Sequence, residues 1–66
     1  MTYQVGEQKI LKKPTFIYKG VIVLQNSPVR IKAIVQKGPE TFYTIEYIDK
    51  EGNIMLIENI KQEELV

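Results

Sequence analysis

Sixty-six residues hold one domain with a modest core, because a chain of this size buries only roughly 60% of the surface it exposes when unfolded. Cysteine and histidine are both absent, which excludes disulfide staples and the usual tetrahedral zinc sites and leaves buried Ile, Val and aromatic side chains to carry stability. The net charge of +1 hides a division: residues 1–37 hold seven basic and one acidic side chain, residues 38–66 two basic and seven acidic.

Ten Ile against four Leu and a single Ala disfavour a helical bundle and suit strands, where β-branched side chains pack on a pleated surface. Residues 1–13 read as an arm or edge strand, with Val5-Gly6 early and Ile10-Leu11 late. Pro14 lacks an amide donor and ends that segment, after which Thr15-Phe16-Ile17-Tyr18 has strong strand propensity and Lys19-Gly20 punctuates it. Residues 21–25 form a short apolar strand, Asn26-Ser27-Pro28 supplies turn chemistry, and residues 29–36 return as the second arm of a predicted hairpin. In that arm Val29, Ile31, Ala33 and Val35 share the expected core face, while Arg30, Lys32 and Gln36 fall on the other together with Ile34, whose apolar side chain there marks a twist.

Lys37-Gly38-Pro39-Glu40 reads as a loop. Thr41, Tyr43, Ile45 and Tyr47 then alternate with Phe42, Thr44, Glu46 and Ile48, and the first set is assigned to the core because Glu46 belongs to the second. Asp49-Lys50-Glu51-Gly52 closes a tight hairpin with Gly52 in the left-handed conformation, and residues 53–58 are the partner strand. In the tail Asn59 is expected to cap one turn of 3-10 helix, with Ile60 and Leu65 reaching the core. The longest apolar run, Val21-Ile22-Val23-Leu24, is far short of a membrane span, and the first residues lack the basic and apolar regions of a secretory signal. A soluble, cytoplasmic protein with no membrane partner is therefore expected, and its richness in Ile and Lys suits an AT-rich bacterial or phage genome.

The order hairpin, loop, hairpin and polar turn ending in an apolar residue resembles the Tudor branch of the SH3-like small barrels. Residues 29–34 resemble the second barrel strand, residues 40–47 the third, Gly52-Asn53 the Gly-Asn turn, and residues 59–65 the closing helical turn. The resemblance implies an all-β fold: a five-stranded SH3/Tudor-like barrel over residues 19–66 with a short 3-10 turn near its end. Residues 1–18 then form a structured N-terminal extension, either an arm or a closing strand, in one compact domain. Tyr47 and Asn53 stand where Tudor domains place one ring of an aromatic cage and its polar partner. The remaining rings are absent, with Glu51, Val23, Leu24, Val29 and Arg30 in their stead, so the reading of methylated side chains, which needs several ring faces around the cation, is not expected. Tyr3-Gln4-Val5-Gly6-Glu7 is similar to the opening strand of RNA polymerase-interaction domains in bacterial transcription regulators, which implies a protein partner.

Chemistry is sparse. The single serine, Ser27, sits in an Asn-Ser-Pro turn without a base, and Asp49, Glu51 and Asn53 depart from a calcium loop, whose glycine would fall at Ile54 and whose terminal Glu at Ile60. No catalytic, cofactor-binding or metal-binding residue is assigned, no cofactor is expected, and the chain is read as a binding module and not an enzyme. Two readings follow. In the first, the protein docks as an accessory or inhibitor on a larger cytoplasmic machine such as the transcription apparatus, using Arg30, Lys32, Phe42 and Glu46. In the second, Lys9, Lys12, Lys13, Lys19, Arg30 and Lys32 line a nucleic-acid surface, with Phe16 or Phe42 as a stacking face. If Leu65-Val66 ends the barrel, closure is expected from residues 5–11, from residues 15–18 or from another molecule, and an edge left unpaired would invite strand addition by a partner or by a second copy as a homodimer.

Overall fold

Left-handed turn residues decide which strands meet. The structure, a computed structural model, describes residues 3–66. Among them lie six strands, β1 (Gln8–Ile10), β2 (Phe16–Tyr18), β3 (Val21–Val23), β4 (Pro28–Lys37), β5 (Glu40–Ile48) and β6 (Ile54–Lys61), followed by a 3-10 turn at Gln62–Glu64. β1, β4, β5 and β6 form one antiparallel sheet in that order, and β2 with β3 forms a second. The protein is all-β, with the expected 3-10 turn near its C-terminal end. The expected five strands are corrected to six, and the two sheets do not merge into one closed ring. No helix among the described residues is long and apolar enough to cross a membrane.

The additional strand originates at Lys19-Gly20. Both residues have positive φ, 51° and 81°, as a two-residue type I′ turn requires, so Phe16–Tyr18 and Val21–Val23 pair directly. The predicted hairpin between residues 21–25 and 29–36 is therefore replaced by one between β2 and β3. This hairpin straddles residues 18 and 19, where the arm was expected to give way to the barrel. Asn26, at φ 68°, then redirects the chain: its N–H donates to the Leu11 carbonyl at 2.7 Å, and the Leu11 N–H donates to Ser27 at 2.9 Å.

Two irregularities shape the main sheet. Ile31 lies opposite Ile45 but Ala33 opposite Thr44, so Lys32 is an extra residue in β4 and the faces of the strand exchange beyond it. Val29 and Ile31 point to the core as the alternation predicted. Ala33 and Val35 are corrected to the outer face, and Ile34 comes to the side of Tyr43. In β6, Ile57 faces Ile45 but Ile60 faces Tyr43, which leaves Glu58 and Asn59 opposite Thr44 alone. Asn59, at φ 61°, is the left-handed residue of this bulge and not a helix cap. The 3-10 turn starts instead from Lys61, whose N–H donates to the Glu64 carboxylate at 2.8 Å.

One core unites these pieces: Leu11, Val23, Val29, Ile31, Tyr43, Ile45, Tyr47, Ile57, Ile60 and Leu65 are buried together. The N-terminal segment is part of it. Leu11 forms a bridge with Leu65, Ile10 and Val66 exchange N–H bonds of 2.8 and 2.9 Å, and the Lys12 N–H donates to Glu64 at 2.6 Å. Tyr3 reinforces this seam, its N–H donating to the Tyr43 hydroxyl at 3.1 Å and its own hydroxyl to the Leu65 carbonyl at 3.2 Å.

Candidate functional site

Strand alternation that sends Tyr43, Ile45 and Tyr47 inward sends the intervening side chains of β5 to the opposite face of the sheet. There, Gln8, Arg30, Glu46 and Leu56 lie directly opposite one another across β1, β4, β5 and β6. The adjacent row is apolar, with Ile10 opposite Pro28 and Ile48 opposite Ile54. Ile48, Ile54 and Leu56 remain 58%, 63% and 50% exposed, levels at which a core role is excluded. The Lys32 ammonium reaches the Glu46 carboxylate at 3.4 Å, whereas Arg30 makes no salt bridge among the described residues. A shallow depression of about 350 Å³ opens between Gln8, Pro28, Arg30, Lys32, Glu46 and Ile48. The arrangement is an apolar strip beside a guanidinium and an ion pair, suited to a partner that covers the isoleucines and accepts hydrogen bonds from Arg30.

Arg30, Lys32 and Glu46, singled out from sequence, are thus brought together. Phe42 is not part of the group. It shares the outer face but lies opposite Val35 and Lys61, separated from Glu46 by Thr44, half-buried, with the Lys37 ammonium 5.5 Å from its ring centroid. Ile48, Ile54 and Leu56 were not singled out, although the β5 alternation already put Ile48 on the face opposite the core.

The lysines expected to line a nucleic-acid surface are mostly engaged within the protein. Lys9 pairs with Glu7 at 2.8 Å and lies 4.1 Å above the Tyr3 ring; its ammonium, with the Gln4 N–H, holds the Glu7 carboxyl below its usual range, and Glu7 raises Lys9 in return. Lys13 stands 3.6 Å from Glu64 and 4.8 Å above Phe16, Lys12 donates to the Asn26 side chain at 3.0 Å, and Lys19 lies 5.5 Å from the Tyr18 centroid. Lys13 thus stands over Phe16, and Lys37 over Phe42, the two rings on which a base was expected to stack.

A second groove of about 410 Å³ runs between the β2–β3 turn and the β5–β6 turn, lined by Val21, Ile22, Leu24, Tyr47, Asp49 and Glu51 among others. Tyr47 is its single ring and is 4% exposed, so the groove offers an edge of the core and no cage around a cation. Asn53 is held to the turn, its N–H donating to the Asp49 carboxylate at 2.8 Å. Among the described residues no group of three or more His, Cys, Asp or Glu side chains converges as a metal ion would require. No protein family, curated protein or solved structure matches the chain.

Proposed function

We propose that the protein is a non-catalytic binding module of the SH3-like, Tudor-branch kind, which docks as an accessory or inhibitor on a larger protein through the outer face of its four-stranded sheet. The observation that carries this reading is the exposed Ile48–Ile54 pair with Leu56, next to Arg30 and the Lys32–Glu46 ion pair. Apolar area at the centre of a patch supplies affinity, and an arginine at its margin supplies orientation. The strand order and the Leu11–Leu65 bridge support the small-barrel assignment, because they join the first strand of the sheet to the residues after the 3-10 turn. Nucleic-acid binding has weaker support, since several of its lysines already face carboxylates or rings.

Tagged wild-type protein and an Ile48→Lys variant, whose site is exposed enough to preserve the fold, are used to capture partners from nuclease-treated and untreated lysate at low and moderate salt. A discrete protein that wild type retains in every condition and Ile48→Lys loses is the expected result. Recovery only of salt-labile, nuclease-sensitive material, equal for both proteins, sinks the docking reading and favours phosphate contacts.

A further inference from the structure

Strand β6 is one edge of the main sheet, and its eight residues make it far longer than the three-residue β1 at the other edge. The direction of its backbone groups follows from two contacts. Asn53 accepts the Asp49 N–H at 3.0 Å, so Asn53, Met55 and Ile57 turn their amides and carbonyls toward β5. Ile54, Leu56 and Glu58 turn theirs outward, and the Glu58 N–H accordingly meets the Tyr18 hydroxyl at 3.5 Å. Beyond Glu58 the Asn59 bulge bends the edge away. The open stretch is residues 54–57, with the outward backbone groups of Ile54 and Leu56 available for a new strand.

We propose that a second copy of this chain supplies that strand, the two β6 edges pairing antiparallel about a two-fold axis at Met55 so that Ile54 of each copy lies opposite Leu56 of the other. Register selects this solution. Hydrogen-bonded pairing requires outward-facing residues to oppose each other, and one of the two open outward residues, Ile54 and Leu56, opposes another only with the axis at Ile54, Met55 or Leu56. An axis at Leu56 sets Ile54 against Glu58, whose amide Tyr18 already holds. An axis at Ile54 sets Leu56 against Gly52, inside the turn. With the axis at Met55, both outward residues of each copy bond. The exposed Ile54 and Leu56 side chains of the two copies become neighbours, and the Ile48–Ile54 pair continues into its symmetry mate.

The result is a single eight-stranded sheet whose two outer faces point the same way. Four-residue edges bury well under the ~800 Å² per partner of a standard interface, so the dimer is weak and depends on concentration. It does not depend on what the outer face binds. At the two-fold axis Met55 opposes its own copy as a non-hydrogen-bonded pair with Cα atoms roughly 4.5 Å apart, within disulfide range, and the natural chain has no competing cysteine.

Single-cysteine variants Ile54→Cys, Met55→Cys and Leu56→Cys, each checked for native circular dichroism, are oxidised at high protein concentration, and wild type is sedimented over a concentration series. Met55→Cys is expected to cross-link at least about tenfold faster than the other two, because only that position meets itself at bonding distance. Wild-type mass is expected to rise toward that of a dimer, and Leu56→Lys to abolish the rise. Fastest cross-linking at Ile54→Cys or Leu56→Cys, or a wild-type mass that stays monomeric up to the solubility limit, overturns the proposal.

Discussion

Replacing Leu11 by Ala tests whether the N-terminal segment belongs to the cooperative core. Leu11 is fully buried, bridges Leu65 and sits where three backbone hydrogen bonds join Ile10 and Lys12 to Glu64 and Val66. Truncation at such a site removes transfer free energy and leaves a cavity, together about 2–5 kcal/mol. A 66-residue domain is stable by roughly 3–10 kcal/mol, so the change removes a large share of the total. In urea, with m near ~1 kcal/mol/M for a domain this small, the midpoint should fall by about 2 M or more. Leu11→Val, which deletes one methylene and keeps the bridge, is the milder companion should Leu11→Ala not fold. Leu65→Ala should be equally costly, and the double variant should cost less than the sum because both side chains line one cavity. A loss below about 1 kcal/mol for Leu11→Ala would show that the arm is an appendage and would refute the seam.

Two further outcomes follow from local geometry. Asn59→Gly should change stability little, whereas Asn59→Val should cost about 1–2 kcal/mol in urea unfolding, because a β-branched residue resists the left-handed backbone at φ 61°; equal effects would remove the basis for the β6 bulge. The Glu7 carboxyl should titrate below the ordinary glutamate range by NMR, and Lys9→Met should restore it toward that range. Its folded value is lowered, so the Glu7–Lys9 pair contributes above the ordinary glutamate range and that contribution is lost as pH falls through the lowered value. A Glu7 midpoint indifferent to Lys9→Met would refute the pairing.

The parts of the fold legible in the sequence are those where side-chain alternation and turn chemistry agree. In β5 the inward set Tyr43, Ile45 and Tyr47 was readable because Glu46 labelled the opposite face. Gly52 closed the following turn as expected, at φ 83°. β4 was readable for its first half only, since one inserted residue at Lys32 reverses everything beyond it, and the anomalous Ile34 was the trace of that insertion. Lys19-Gly20 was recognised as punctuation but not as a hairpin turn, because lysine is an uncommon occupant of a left-handed position. Asn59 was chosen for a property it does have, tolerance of unusual backbone, and assigned the wrong use. For the outer face, Arg30, Lys32 and Glu46 stood out by charge. Ile54 and Leu56 did not, because their orientation depends on the register that the Asp49–Gly52 turn imposes on β6.

The seam between Leu11 and Leu65 also constrains how the molecule is made. Its partners come from opposite ends of the sequence, so no early fragment of a growing chain contains both halves of the core, and contacts of such long range slow folding relative to helical domains of equal size. During synthesis the isoleucine-rich strands emerge before Leu65, so the seam closes only after they are exposed. A cell that produces this protein in quantity therefore carries it through an interval in which its stickiest segments are bare, a state prone to association between chains.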